Sequence, residues 1–223
     1  MRLAAHANSF LNTVHLNDVH YSRDVVETER SRRHSRSDVA EAALRILDDR
    51  GLAELTMRNL AADLGVAPSA LYWHFPNKQT LLAQLADTIV ATAAPRVHDE
   101  SFTETIESSA CALRDALLRY RDGAEVVSST IALGLGAADA GATLERALRE
   151  GGFDHEVSAI AARILLHFIL GHVSQEQQRM HYESLGLAVS SERDGSVEGE
   201  PNGTDEFLFG VRLLANGLRV TCS

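Results

Sequence analysis

The chain has 223 residues, of which 45% are hydrophobic, with only four prolines and two cysteines. That is enough apolar side chain to bury a sizeable core and too much for a largely disordered chain, and the length suits one domain or two small ones. Net charge is −10, which argues against an indiscriminate polyanion binder, yet the first 80 residues balance at 10 basic and 10 acidic side chains and leave 11 and 21 for the remainder, so all the surplus acid lies in the second part.

Residues 1–34 show no sustained hydrophobic period and read as a flexible arm, ending in a basic run of Arg30, Arg32, Arg33 and Arg36 around His34. Ser35 or Ser37 then offers an N-cap, Val39, Ala42, Ala43, Ile46 and Leu47 follow at helical spacing, and Gly51 supplies a stop. Thr56 caps a short second helix carrying Met57, Leu60, Ala61 and Leu64, and Gly65 ends it. A third helix starts at Pro68 or Ser69, proline being acceptable in a first turn. Asn77 caps a longer fourth helix with Leu81, Leu82, Leu85, Ile89 and Val90 on one side, running to Pro95.

Beyond Pro95 longer helical segments are expected at about 102–121, 138–150, 154–181 and 205–220. Between the last two, "ESLGLAVSSERDGSVEGEPNGT" reads as a mobile surface loop. The fold class is therefore all-α. Residues 154–178 are apolar almost all round, from Val157 through Ile160, Ile164 and Phe168 to Val173, so that helix needs cover on more than one side. Together with Phe207, Val211, Leu214 and Leu218 it suits a four-helix bundle built by two copies of the chain. Arg163 and His167 interrupt the stretch, and residues 1–30 hold no signal-peptide core, so no membrane partner is expected. Cys111 and Cys222 are too few and too far apart for a disulfide framework, which fits a reducing cytoplasm.

The stretch "GVAPSALYWHFPNK" at 65–78 carries the chain's single Trp. Two short helices joined through Gly65 have the form of a helix-turn-helix, whose second helix is the right width for a DNA major groove. On that second helix Leu71 and Phe75 share one face, which is enough to dock it, while Tyr72, Trp73 and His74 fan out toward solvent. Three large side chains with polar handles call for a partner surface. Lys78, at the start of the next helix, adds a cation near a helix N-terminus, a suitable place to hold a phosphate.

"LTMRNLAADLGVAPSALYWHFPNKQTLL" resembles the DNA-binding domain of the TetR family of bacterial transcription repressors, over about residues 36–90. "LRDALLRYRDGAEV", "HFILGHVSQEQQ" and "FLFGVRLLANGLRV" resemble the regulatory domain of the tetracycline repressors within it. The resemblance implies a head at 35–80, a regulatory and dimerisation body at 81–223, and a homodimer that reads double-stranded palindromic operator DNA. It places DNA contacts on Thr56, Arg58, Pro68, Ser69, Ala70, Tyr72, Trp73, His74 and Lys78. Arg58 is the candidate base reader, with Tyr72, His74 and Lys78 on phosphates. The basic run before the first helix is either plain disorder or an arm along the DNA backbone.

The same resemblance implies a small-molecule effector whose binding shifts the fourth helix and releases DNA. The metal-ligating His of the tetracycline repressors falls on Val127, its neighbouring Arg and Pro on Ile131 and Ala132, and a magnesium-linked Glu on Gln175. Valine cannot ligate a metal, so a tetracycline–magnesium effector, and any cofactor, is not expected. Ser109, Leu113, Val127, Thr130, Ile131, Phe168 and Gln175 are the candidate pocket residues and suggest an apolar effector with a few hydrogen-bonding groups.

Two competing classes are weaker. A small helical hydrolase would lack G-x-S-x-G, a Walker loop, G-x-G-x-x-G and H-E-x-x-H, none of which occurs. A helical dimer that binds only protein would leave Tyr72 and Lys78 without a purpose. His172 and Glu176 stand one turn apart with His181 beyond, a spacing common by chance, and no metal site is assigned.

Overall fold

Ser35 starts the first helix by a reciprocal capping box: its hydroxyl accepts from the Asp38 N–H at 3.1 Å while the Asp38 carboxylate accepts from the Ser35 N–H at 2.7 Å. The computed structural model describes residues 34–94, 101–187 and 203–221. The arm with Arg30, Arg32 and Arg33, Pro95, most of the acidic loop, and Cys222 lie outside the described residues. Among the described residues the only regular elements are nine α-helices, and residues 35 onward form one compact unit.

The first four helices make a small head. They are α1 (Arg36–Arg50), α2 (Met57–Asp63), α3 (Pro68–Tyr72) and α4 (Lys78–Ala91). Gly51 ends α1 at φ 85°, a backbone that a side chain would strain, and its N–H bonds the Leu47 carbonyl at 2.8 Å. Thr56 caps α2 and Asn77 caps α4 through a capping box with Thr80. Val39, Ile46, Leu47, Leu55, Leu60, Leu71, Phe75, Leu81 and Leu85 close a fully buried core between them.

The body adds α5 (Phe102–Leu118), α6 (Gly123–Ala132), α7 (Ala138–Glu150), α8 (His155–Ser184) and α9 (Gly203–Thr221). Sequence reading leaves 122–137 without a helix, yet α6 forms there. Val126, Val127, Thr130 and Ile131 are β-branched and disfavour a helix, but burying Ala124, Val126 and Val127 against α4 outweighs that preference. Asp122 turns the chain into α6 in the left-handed region, at φ 56°.

The central helix of the body is α8, which packs against α5, α6, α7 and α9. By length and composition alone it would suffice to cross a membrane, with a window of mean hydropathy 1.6. That apolarity is used in packing: Ala161, Leu165, Leu166, Ile169, Leu170 and Val173 are buried, while Arg163 and His167 point outward. A second apolar strip of the body has no cover among the described residues: Ile160 and Ile164 of α8 and Phe209 and Leu213 of α9 are all exposed, Phe209 to 68%.

Candidate nucleic-acid interface and ligand cavity

Helix α3 has only five residues and begins with Pro68 in its first turn. The chain continues the turn beyond it, since His74 and Phe75 both donate their N–H to the Leu71 carbonyl at 2.9 Å. Leu71 and Phe75 are thereby driven into the core, each worth about 1.5–3 kcal/mol of apolar burial. What remains faces solvent: Pro68, Ser69, Ala70 and Tyr72 are exposed, Trp73 is 90% exposed, and His74 is half-buried. An indole left that bare on a folded surface is costly without a covering partner. Behind Phe75, the Arg36 guanidinium lies 4.5 Å from the ring centroid and braces the start of α1 against it.

The other predicted contacts lie at the start of α2, on α2 and at the start of α4. Arg58 on α2 is exposed and has no ion-pair partner among the described residues, unlike Arg50, which pairs with Asp63 at 3.5 Å. The Thr56 oxygen accepts from the Asn59 N–H at 3.0 Å, so its hydroxyl proton is the part left to offer an outside acceptor. The Lys78 ammonium is not turned fully outward. It is half-buried, and its Nζ donates to the Leu52 carbonyl at 3.4 Å, because the loop after α1 comes within reach of the first turn of α4.

Where the end of α4 meets the body, α4, α5 and α7 line a partly open cavity of about 350 Å³. Its apolar wall is Val90, Leu113, Ala140 and Leu144; Ser109, Asp139, Thr143 and Arg146 supply the polar groups. Of the seven predicted pocket residues, only Ser109 and Leu113 meet there. Val127 and Thr130 are buried in α6, the Thr130 hydroxyl donating to the Val126 carbonyl at 2.6 Å. Ile131 is half-buried on the same helix. Phe168 stacks on Phe207 at 5.8 Å between centroids, where α9 approaches so closely that a Cβ on Gly210 would strike the Phe168 ring, and Gln175 is exposed on α8.

Several long-range bonds, within the body and between it and the first four helices, carry no sequence signal. The Asp122 carboxylate accepts from the Leu52 N–H at 2.7 Å, joining the α5–α6 turn to the loop that also holds Lys78. Gln177 of α8 fixes that turn, donating to the Leu117 and Tyr120 carbonyls at 3.1 and 2.8 Å and accepting from the Ala124 N–H at 3.2 Å. Asp87 of α4 accepts from the Ala137 N–H at 2.7 Å, which fixes the start of α7. Each joins a side chain to a backbone group at least 50 residues away, so neither a spacing nor a motif announces it. His172 and Glu176 do not converge: the His172 ring meets the Gly203 carbonyl at 3.2 Å and Glu176 pairs with Arg114 at 2.6 Å. On α5 the Cys111 thiol is held above its usual pKa by burial, reinforced by the Asp115 carboxylate.

Residues 39–85 match the model for bacterial regulatory proteins of the tetR family, and residues 94–222 match the tetracyclin repressor-like C-terminal domain. The chain belongs to the TetR family. It is 37% identical over 192 residues to the class E tetracycline repressor of Escherichia coli, covering 83% of this chain and 90% of that protein. A crystal structure of BioQ with its natural double-stranded DNA operator superposes with a TM-score of 0.69 at 40% identity, over 83% of this chain and 98% of that one. A TetR variant from Acinetobacter baumannii AYE in complex with minocycline gives a TM-score of 0.65 at 30% identity, over 85% and 99%.

Proposed function

We propose that this TetR-family chain is a ligand-responsive transcriptional repressor. As a homodimer it binds palindromic operator DNA through α3 and the start of α4, and a small effector with an apolar body releases it. The observation that carries the reading is the position of α4. Its first residue, Lys78, comes five residues after the exposed Trp73, while Val90 and Ala91 at its far end line the cavity, so one helix runs from the reading segment to the cavity. An occupant of the cavity that prefers a different tilt of α4 shifts the spacing of two heads on DNA, and by linkage DNA weakens the occupant by the same factor. BioQ with its operator and the minocycline-bound repressor supply the two halves of this behaviour in relatives.

Residues 35–80 act as the reading head, 81–223 as the regulatory body, and the arm at 1–34 precedes both. Arg58 reads a base edge; Thr56, Tyr72, His74 and Lys78 bind backbone phosphates; Pro68, Ser69, Ala70 and Trp73 make apolar contact in the groove. The unpartnered strip of Ile160, Ile164, Phe209 and Leu213 is the dimer interface, which sets the two heads about 34–36 Å apart. The protein works by binding, without catalysis, in the cytoplasm. The decisive experiment is binding to a fragment from upstream of its own gene across a salt series. Palindrome-specific binding that weakens steeply with salt supports the reading; binding that is equally weak on scrambled DNA overturns it.

A further inference from the structure

The cavity is polar on one side, and that side is built from a single helix. Asp139, Thr143 and Arg146 follow one another on α7 at intervals of four and three residues, which puts them on one face. Asp139 and Arg146 are both exposed at the rim of the cavity, and neither has a hydrogen-bond or ion-pair partner among the described residues, so both are free to meet an occupant. Opposite them, Ser109 of α5 is only 5% exposed, lines the cavity, and has no hydrogen-bond partner among the described residues.

Resting on the repressor reading, we propose that the effector is a compact amphiphile carrying two polar ends. A carboxylate is held by Arg146, a hydrogen-bond-donating group such as an ammonium is held by Asp139, and the apolar body between them lies along Leu113 and Leu144. Seven residues of helix separate the two charges by roughly 10 Å along α7, which fixes the distance between the ends. A guanidinium suits a carboxylate because its planar fork donates two parallel hydrogen bonds. The Ser109 hydroxyl and Thr143 complete the polar contacts along the ligand. A cavity of about 350 Å³ stands at the small end of ligand sites and suits a compact occupant.

The test is calorimetric titration of the full-length protein with octanoate, its neutral amide, and ω-aminooctanoate, whose two ends have a comparable span. Octanoate is expected to bind at least about tenfold more tightly than the amide, the scale of one charged hydrogen bond. Arg146→Gln removes that preference, Arg146→Lys restores part of it, and Arg149→Ala, one turn further along α7 and outside the cavity, leaves it intact. ω-Aminooctanoate binds more tightly than octanoate, and Asp139→Asn abolishes the advantage. Equal binding of acid and amide, no binding of either acid, or a preference that survives Arg146→Gln overturns the assignment. Operator binding measured beside each titration separates the two claims. Release of DNA by neutral apolar compounds alone keeps the repressor and removes this effector chemistry, whereas Arg146-dependent binding that leaves DNA affinity unchanged keeps the site and removes the ligand response.

Discussion

Replacing Glu176 by alanine breaks the most enclosed ion pair among the described residues of the body. The Arg114 guanidinium donates through Nε to Oε2 at 3.1 Å and through its terminal nitrogen to Oε1 at 2.6 Å, a bidentate pair joining α5 to α8. The same nitrogen reaches the Thr204 hydroxyl at 3.4 Å in α9, and the guanidinium lies 5.5 Å from the Phe207 ring centroid, so three helices meet on one cation. The Arg114 side chain is 11% exposed and that of Glu176 16%. Removing one member of a buried pair costs about 3–5 kcal/mol because the other charge is stranded. Thr204 remains and some water reaches the site, which places Glu176→Ala at the lower end, about 3 kcal/mol, or roughly 6–12 °C in Tm for a chain of this size. Replacing both partners, as Arg114→Met with Glu176→Leu, leaves no stranded charge and is expected to fall within about 1 kcal/mol of the parent. Urea unfolding followed by circular dichroism, at one fixed protein concentration because a dimer is involved, measures all three. A loss below about 1 kcal/mol for Glu176→Ala would show a solvent-screened pair, and a double variant as unstable as the single one would refute the stranded-charge argument.

Three further outcomes are expected. Arg58→Ala lowers operator affinity by about 1–3 kcal/mol and relaxes preference at one base pair, whereas Tyr72→Ala weakens all sequences alike; competition binding against single-base operator variants distinguishes them. Ile164→Glu puts a charge on the unpartnered strip and converts the dimer to monomer in sedimentation equilibrium, with helix content retained; a dimer that persists would place the interface elsewhere. In a Cys222→Ser background, Cys111 reacts with a disulfide reagent near pH 8 more slowly than a free thiol, since burial and Asp115 keep it protonated; labelling at the free-thiol rate contradicts that environment.

The head was legible because its information is local. Ser35, Thr56 and Asn77 bond the backbone three residues on, so their capping roles are written in adjacent letters, and all three caps form. The inward turn of Leu71 and Phe75, and with it the outward turn of Tyr72 and Trp73, follows from a four-residue spacing. The body was less legible. Helix α6 escaped notice because its β-branched residues argue against a helix until α4 covers them. The cavity lining was foreseen at Ser109 and Leu113 only, since the α7 stripe of Asp139, Thr143 and Arg146 reads in isolation as an ordinary solvated face.

Sequence alone therefore determined the all-α class, the helix-turn-helix and the family, because helix periods, caps and the "LYWHF" string depend on neighbours within a few residues. Tertiary structure alone decided which side chains share the cavity, that Lys78 is tied to Leu52, that Asp122 and Asp87 join the first four helices to the body, and that Gln177 fixes the α5–α6 turn. Those arrangements depend on where distant helices come to rest, and that is set by the summed burial of many apolar side chains, which no single spacing records.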